Sequence, residues 1–187
     1  ELRGPDRVHG VRQVYAARPL TTGDYLVGRA ATLGVVVLGF MYFPHLVLFF
    51  GRAWTSGDGF GSYVAAHAGV LWQTALASLV YFAALAPVAF LFAAYSRRLT
   101  LGAGAFIGVM AMSTPVADAL VDVGFDPAGL LALQHHPAVV KDWILGARSA
   151  HLVPQQAGFD AWVSLAAIAV LALLTGVLVT RRYRSTA

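Results

Sequence analysis

The chain has 187 residues, 58% of them hydrophobic and only 12% charged, with a net charge of +4. Soluble domains carry about twice that charged share, and a mean hydropathy of +0.69 excludes a large water-soluble domain. Cysteine is absent, which excludes disulfides, thiolate metal sites and cysteine nucleophiles.

Residues 1–29 are polar and punctuated by Arg3, Arg7, Arg12, Arg18 and Arg29. Val8, Val11, Val14 and Tyr15 recur at helical spacing and predict a short amphipathic helix. It stops near Arg18-Pro19, because the residue before a proline avoids the α region. Thr21-Thr22-Gly23-Asp24 then supplies turn and capping residues for the next helix. The segment has no apolar signal-peptide core. The chain opens on Glu1 rather than Met, so helices upstream are expected.

Four apolar stretches follow, near 30–50, 63–95, 99–121 and 161–180. A helix of about 20 apolar residues crosses a hydrocarbon core of roughly 30 Å, so each predicts a transmembrane helix. Pro44 is expected to kink the first near its outer end. Residues 51–62 read as a Gly-rich loop. Its GDGFG is no nucleotide motif, since no strand precedes it and no phosphate-binding pattern is complete. The stretch 63–95 contains Pro87 and would be about 50 Å long as one straight helix, a better reading than two spans. A basic turn at Arg97-Arg98 leads to the third span, where Gly104 and Gly108 form a GxxxG step that permits close helix packing.

Residues 122–160 hold two short apolar pieces, around Leu130-Leu131-Leu133 and Trp143-Ile144-Leu145. Both are too short to span and read as outer re-entrant or interfacial helices. The expected fold class is thus all-α, a polytopic helical membrane protein. It comprises one transmembrane domain of four spans, an N-terminal amphipathic cytoplasmic helix and short outer helices.

Ten of the thirteen basic residues precede the first span, separate the second from the third, or follow the fourth. The remaining three are Arg52, Lys141 and Arg148. Cytoplasmic connections collect Lys and Arg, so both ends of the chain are expected in the cytoplasm of a cell-membrane protein. The basic residues flank apolar helices, which suits orientation and anionic headgroups, and no nucleic-acid partner is expected.

Ionisable groups inside spans are costly and mark function. No Asp or Glu lies in the middle of any span, which weighs against ion-driven transport and against an enzyme. His45 and His67 fall at similar depth on adjacent antiparallel helices, a geometry that could ligate haem or a metal. Histidine near an interface more commonly makes a hydrogen bond there, and no metal site is assigned to the pair. His135, His136 and His151 form a second cluster without carboxylates at ligand spacing.

The segment RVHGVRQVYAARPLTTGDYLVGR resembles the first cytoplasmic loop of ABC-2 type transporter permeases. The matching positions are Tyr15, Arg18-Pro19, Thr21-Thr22, Tyr25 and Gly28-Arg29. The last span ending in RRYR and the broken stretch before it also resemble that family, whose permeases usually have six spans. The resemblance implies that this chain supplies the last four. It implies a permease without ATPase activity, consistent with the absence of a GxxxxGK[ST] motif. ATP and Mg would be bound by a separate ATPase subunit, and a second permease copy would complete the pathway. The helix around residues 8–18 would sit on the ATPase, with Val11, Val14 and Tyr15 as apolar contacts, Arg12 and Arg18 as charged ones, and Pro19 stiffening the turn. A lipophilic cargo is expected from the sparse charge. The other reading is a membrane anchor or structural subunit of a larger complex.

Overall fold

A computed structural model describes residues 22–96, 98–147 and 151–184. Among them there are helices and turns and no strand. The long helices are α1 (Thr22–Trp54), α2 (Phe60–Tyr95), α3 (Leu99–Asp122) and α6 (Ala161–Arg184). Between α3 and α6 lie a 3-10 helix (Asp126–Leu131) and the short helices α4 (His135–Leu145) and α5 (Val153–Gln156). All four long helices have the length and apolar composition to cross a membrane. Large apolar side chains such as Phe40, Trp72 and Leu173 face outward, as lipid contact requires. The chain is a helical membrane protein.

Helix ends differ from the expected ones. Thr22-Gly23-Asp24, expected as a turn, form the first turn of α1, where Asp24 opposes the positive end of the helix dipole. The Gly-rich loop 51–62 shrinks to residues 55–59. Gly51–Trp54 extend α1 and Phe60–Ser62 open α2. Continuing the helices bonds backbone groups that would otherwise need water, which outweighs the modest helix penalty of glycine. The Thr55 hydroxyl closes the end of α1 by donating to the carbonyls of Gly51 and Arg52, both at 3.3 Å. Stretch 63–95 lies in one helix, as expected, and that helix, Phe60–Tyr95, has 36 residues and is about 54 Å long. Both α1 and α2 continue through their prolines, Pro44 and Pro87. The last helix closes on Arg181–Arg184, as its RRYR ending led one to expect.

Helices α1 and α2 form an antiparallel hairpin. The Tyr42 hydroxyl donates to the Leu71 carbonyl at 3.0 Å, and the Phe49 and Tyr63 rings meet at 5.7 Å. Near the other end, Gly34 lets the Phe82 ring approach; a Cβ there would lie 3.3 Å from it. Helix α6 runs parallel to α2. Ile168 packs with Ala84, and the Tyr95 hydroxyl donates to the Leu178 carbonyl at 3.4 Å. In this register Ala161 lies level with roughly Ala77. The hairpin therefore extends about 25 Å past the start of α6.

Two cores tie the short helices to the long ones. Val140 of α4 packs between Ala84 of α2 and Ile168 of α6, with Val80, Leu85, Ile144 and Leu165 around them. Ala117 of α3 meets Ala132 and Val153. The alanines let backbones approach closely, which in an apolar medium is the main source of packing energy. Helix α4 thus contacts α2 about 16 Å along the helix from Tyr95. Gly146, at φ +65°, ends α4 through amide bonds to the Asp142 and Trp143 carbonyls. Asp160 starts α6, its carboxylate accepting the Trp162 and Val163 amides at 3.0 Å each.

Candidate functional site

Polar side chains gather where α4 enters the bundle. His136 is 2% exposed. Its Nε2 lies 3.1 Å from the Leu130 carbonyl and its Nδ1 3.1 Å from the Ser164 hydroxyl. A carbonyl only accepts, so Nε2 carries the proton and Nδ1 accepts from Ser164. One ring thereby ties α4 to the 3-10 helix and to α6. Burial holds the His136 pKa down, opposed by the Leu130 bond and reinforced by neighbouring His135.

His135 faces α5. The Val153 amide donates to its Nδ1 at 3.1 Å, so this ring is also neutral, with its proton on Nε2. Burial pushes its pKa below the ordinary value, and the Asp118 carboxylate on α3 pulls the other way. Protonating Nδ1 would set a donor against the Val153 amide. The folded pKa lies below the unfolded one, so the contribution to stability is complete above about pH 6.5 and is lost as pH falls through that value toward the folded pKa. Hydrogen exchange at the Val153 amide should accelerate relative to its neighbours on acidification. In His135→Asn a non-titrating oxygen replaces Nδ1, and the Val153 amide should stay protected over the same range. Identical acid behaviour in the two proteins would contradict this assignment.

Asp142 on α4 is also 2% exposed, with its carboxylate oxygen 3.1 Å from Lys141 Nζ. Its helix packs on α2 through Val140 and Ala84. A buried carboxylate is tolerated only when paired and hydrogen-bonded. Sequence reasoning looked for carboxylates within the spans and missed this one. It sits on a short helix and is buried by packing. The available signal was Lys141-Asp142 lying inside the apolar run Val139–Leu145.

The other expected residues are dispersed. Tyr42–Leu71 and Phe49–Tyr63 bracket His45 and His67, which stand at one height on neighbouring helices. Each Nδ1 bonds its own helix, to the Met41 carbonyl at 2.8 Å and the Tyr63 carbonyl at 3.0 Å. His67 also stacks on the Tyr63 ring at 4.3 Å. Among the described residues, no three His, Asp or Glu side chains come together at metal-binding spacing. Gly104 and Gly108 open outward: a Cβ at either would meet nothing within 4 Å. The tight glycine of α3 is Gly102, where a Cβ would lie 2.9 Å from the Ser96 hydroxyl. Val11, Arg12, Val14, Tyr15, Arg18 and Pro19 lie outside the described residues. Comparison with known protein families, curated proteins and solved structures returned no match.

Proposed function

We propose that the chain is the membrane-spanning permease subunit of an ABC transporter of the ABC-2 type. It would couple ATP hydrolysis by a separate subunit to movement of a lipophilic or amphipathic substrate across the cell membrane. The observation that carries the reading is the sequence pattern of residues 8–29, whose apolar spacing and Arg18-Pro19 predict an amphipathic helix and a proline turn leading into the first span. Two features support it. The first turns of α1 share one end of the bundle with Arg98, Arg181 and Arg182, since Val27 stands beside Val179 and Thr180. That end is cytoplasmic by its charge, which is where an ATPase subunit must act. The depth of α4 against α2 and α6 fits helices that dip into the bilayer from the opposite face and return.

In this mechanism residues 8–18 form a lever on the ATPase. Closure of the nucleotide subunit would move it, and the Pro19 turn would pass that movement to α1. Two copies, or this chain and a homologue, would enclose the substrate path. ATP and Mg belong to the partner, and this chain catalyses nothing itself. Val14→Asp combined with Tyr15→Asp should abolish co-purification with the ATPase, or leave the pair assembled with ATP hydrolysis no longer coupled to transport. Normal assembly and normal coupled transport in the double variant would refute the proposal.

A membrane-anchor role is the second reading. It is favoured by His45 and His67 at one height with each Nδ1 held by a backbone carbonyl, which leaves Nε2 as the ligand atom. A Soret band from the purified chain, lost in His45→Ala, would establish it; the permease reading expects none.

A further inference from the structure

Helices α1, α2 and α6 enclose a groove of about 310 Å³. Its walls include Val27 of α1, Phe82, Pro87 and Phe90 of α2, and Thr175 and Val179 of α6. The threonines do not make it polar. Thr175 donates its hydroxyl to the Leu171 carbonyl at 2.7 Å, and Thr180 donates to Gly176 at 2.8 Å. Both hydroxyl protons are thus engaged by the helix's own carbonyls and the lining is overwhelmingly apolar, so it holds a water poorly. The natural occupant is a hydrocarbon chain.

Depth and charge narrow the choice. Along α2 the groove runs from Phe90 to Phe82, about 8 to 20 Å from Tyr95. With Tyr95 at the membrane interface, that interval reaches from just inside one leaflet to the bilayer midplane. Basic residues crowd the shallow end: Arg98 opens α3, and Arg181 and Arg182 directly follow Thr180 on α6. The Arg182 guanidinium lies over the Tyr95 ring, 5.7 Å from its centre. Among the described residues at this end, Arg98, Arg181 and Arg182 stand against the single acidic side chain of Asp24. Open space at Gly176, where a Cβ would meet nothing within 4 Å, leaves that part of the wall without a side chain.

We infer that the groove is a binding site for an anionic phospholipid of the leaflet at the arginine-rich end, one acyl chain lying along α2 and α6 and the headgroup at Arg181 and Arg182. The site depends on the membrane-spanning fold and not on the permease assignment. A lipid held there would fill the seam between the α1–α2 hairpin and α6.

Native mass spectrometry of the full chain, released from detergent with equal amounts of phosphatidylglycerol and phosphatidylcholine of the same chain length, tests the site. The wild type should retain phosphatidylglycerol preferentially. Each arginine near the surface is worth about fivefold in affinity for an anionic lipid, so Arg181→Gln with Arg182→Gln should erase most of the preference while an acyl chain still binds. Gly176→Leu should fill the groove and lower retention of both lipids, at an intact helical circular-dichroism spectrum. A photoreactive side chain at Thr180 should cross-link to phospholipid in membranes. Equal retention of the two lipids by the wild type, undiminished retention by Gly176→Leu, or cross-linking to a second copy or another polypeptide would each overturn the inference.

Discussion

His136→Leu is expected to loosen α4 from the bundle, at a cost on the order of 3 kcal/mol. Leucine has much of the volume of the imidazole but neither of its hydrogen bonds. The Leu130 carbonyl loses its donor, and the Ser164 hydroxyl, fully buried, loses its acceptor. A buried polar group left unsatisfied costs about 1–3 kcal/mol. The apolar contacts of Val140 with Ala84 and Ile168 remain, so the helix should open locally while the four long helices persist. Hydrogen exchange across 135–145 should rise by about a hundredfold, as 3 kcal/mol requires. Adding Ser164→Ala should cost less than the sum of the single changes, because it removes one of the stranded groups. Unchanged exchange in His136→Leu would show that the ring holds nothing.

Gly129→Ala is expected to be the most disruptive single-methyl change in the short-helix region. A Cβ at this position would lie 2.7 Å from the Ala157 Cβ and 3.2 Å from the Phe159 ring. Alanine has no rotamer to move, so relief must come from the backbone at residues 157–159. That turn carries Gly158 at φ +78° and leads to Asp160, whose carboxylate starts α6. Overpacking of this kind costs about 1–3 kcal/mol. Ala157→Gly removes the opposing carbon, so Gly129→Ala with Ala157→Gly should recover much of the lost thermal stability in detergent. Failure of that rescue would place the conflict elsewhere.

The spans were legible because lipid imposes a simple rule: a crossing helix must be long, apolar and internally bonded. Stretches 63–95 and 99–121 read almost to the residue. The hairpin tip did not. Glycine and polar residues around 51–62 look like a loop by local preference, yet helix continues through much of the stretch because backbone groups gain partners that way. The arrangement of the short helices was less legible still. Their apolar pieces were visible, but nothing local pairs His136 with Ser164, twenty-eight residues away, or sets the Val153 amide on His135. Gly102 likewise stands two residues from a better sequence motif, and its crowding comes from the turn at Ser96.

By itself, then, the sequence determined an all-helical membrane protein, its four crossing segments and the alternation of charge between its two faces. Those properties belong to single segments in contact with solvent or lipid, so composition alone carries them. Only the tertiary structure decided that the hairpin overshoots α6, that Asp142 is buried, that two histidines fasten α4, and that α1, α2 and α6 leave an apolar groove under an arginine rim. Each of these depends on which helices meet and at what height, and that is set by long-range packing of small residues such as Ala84, Ala117 and Ala132, whose local sequence signal is weak.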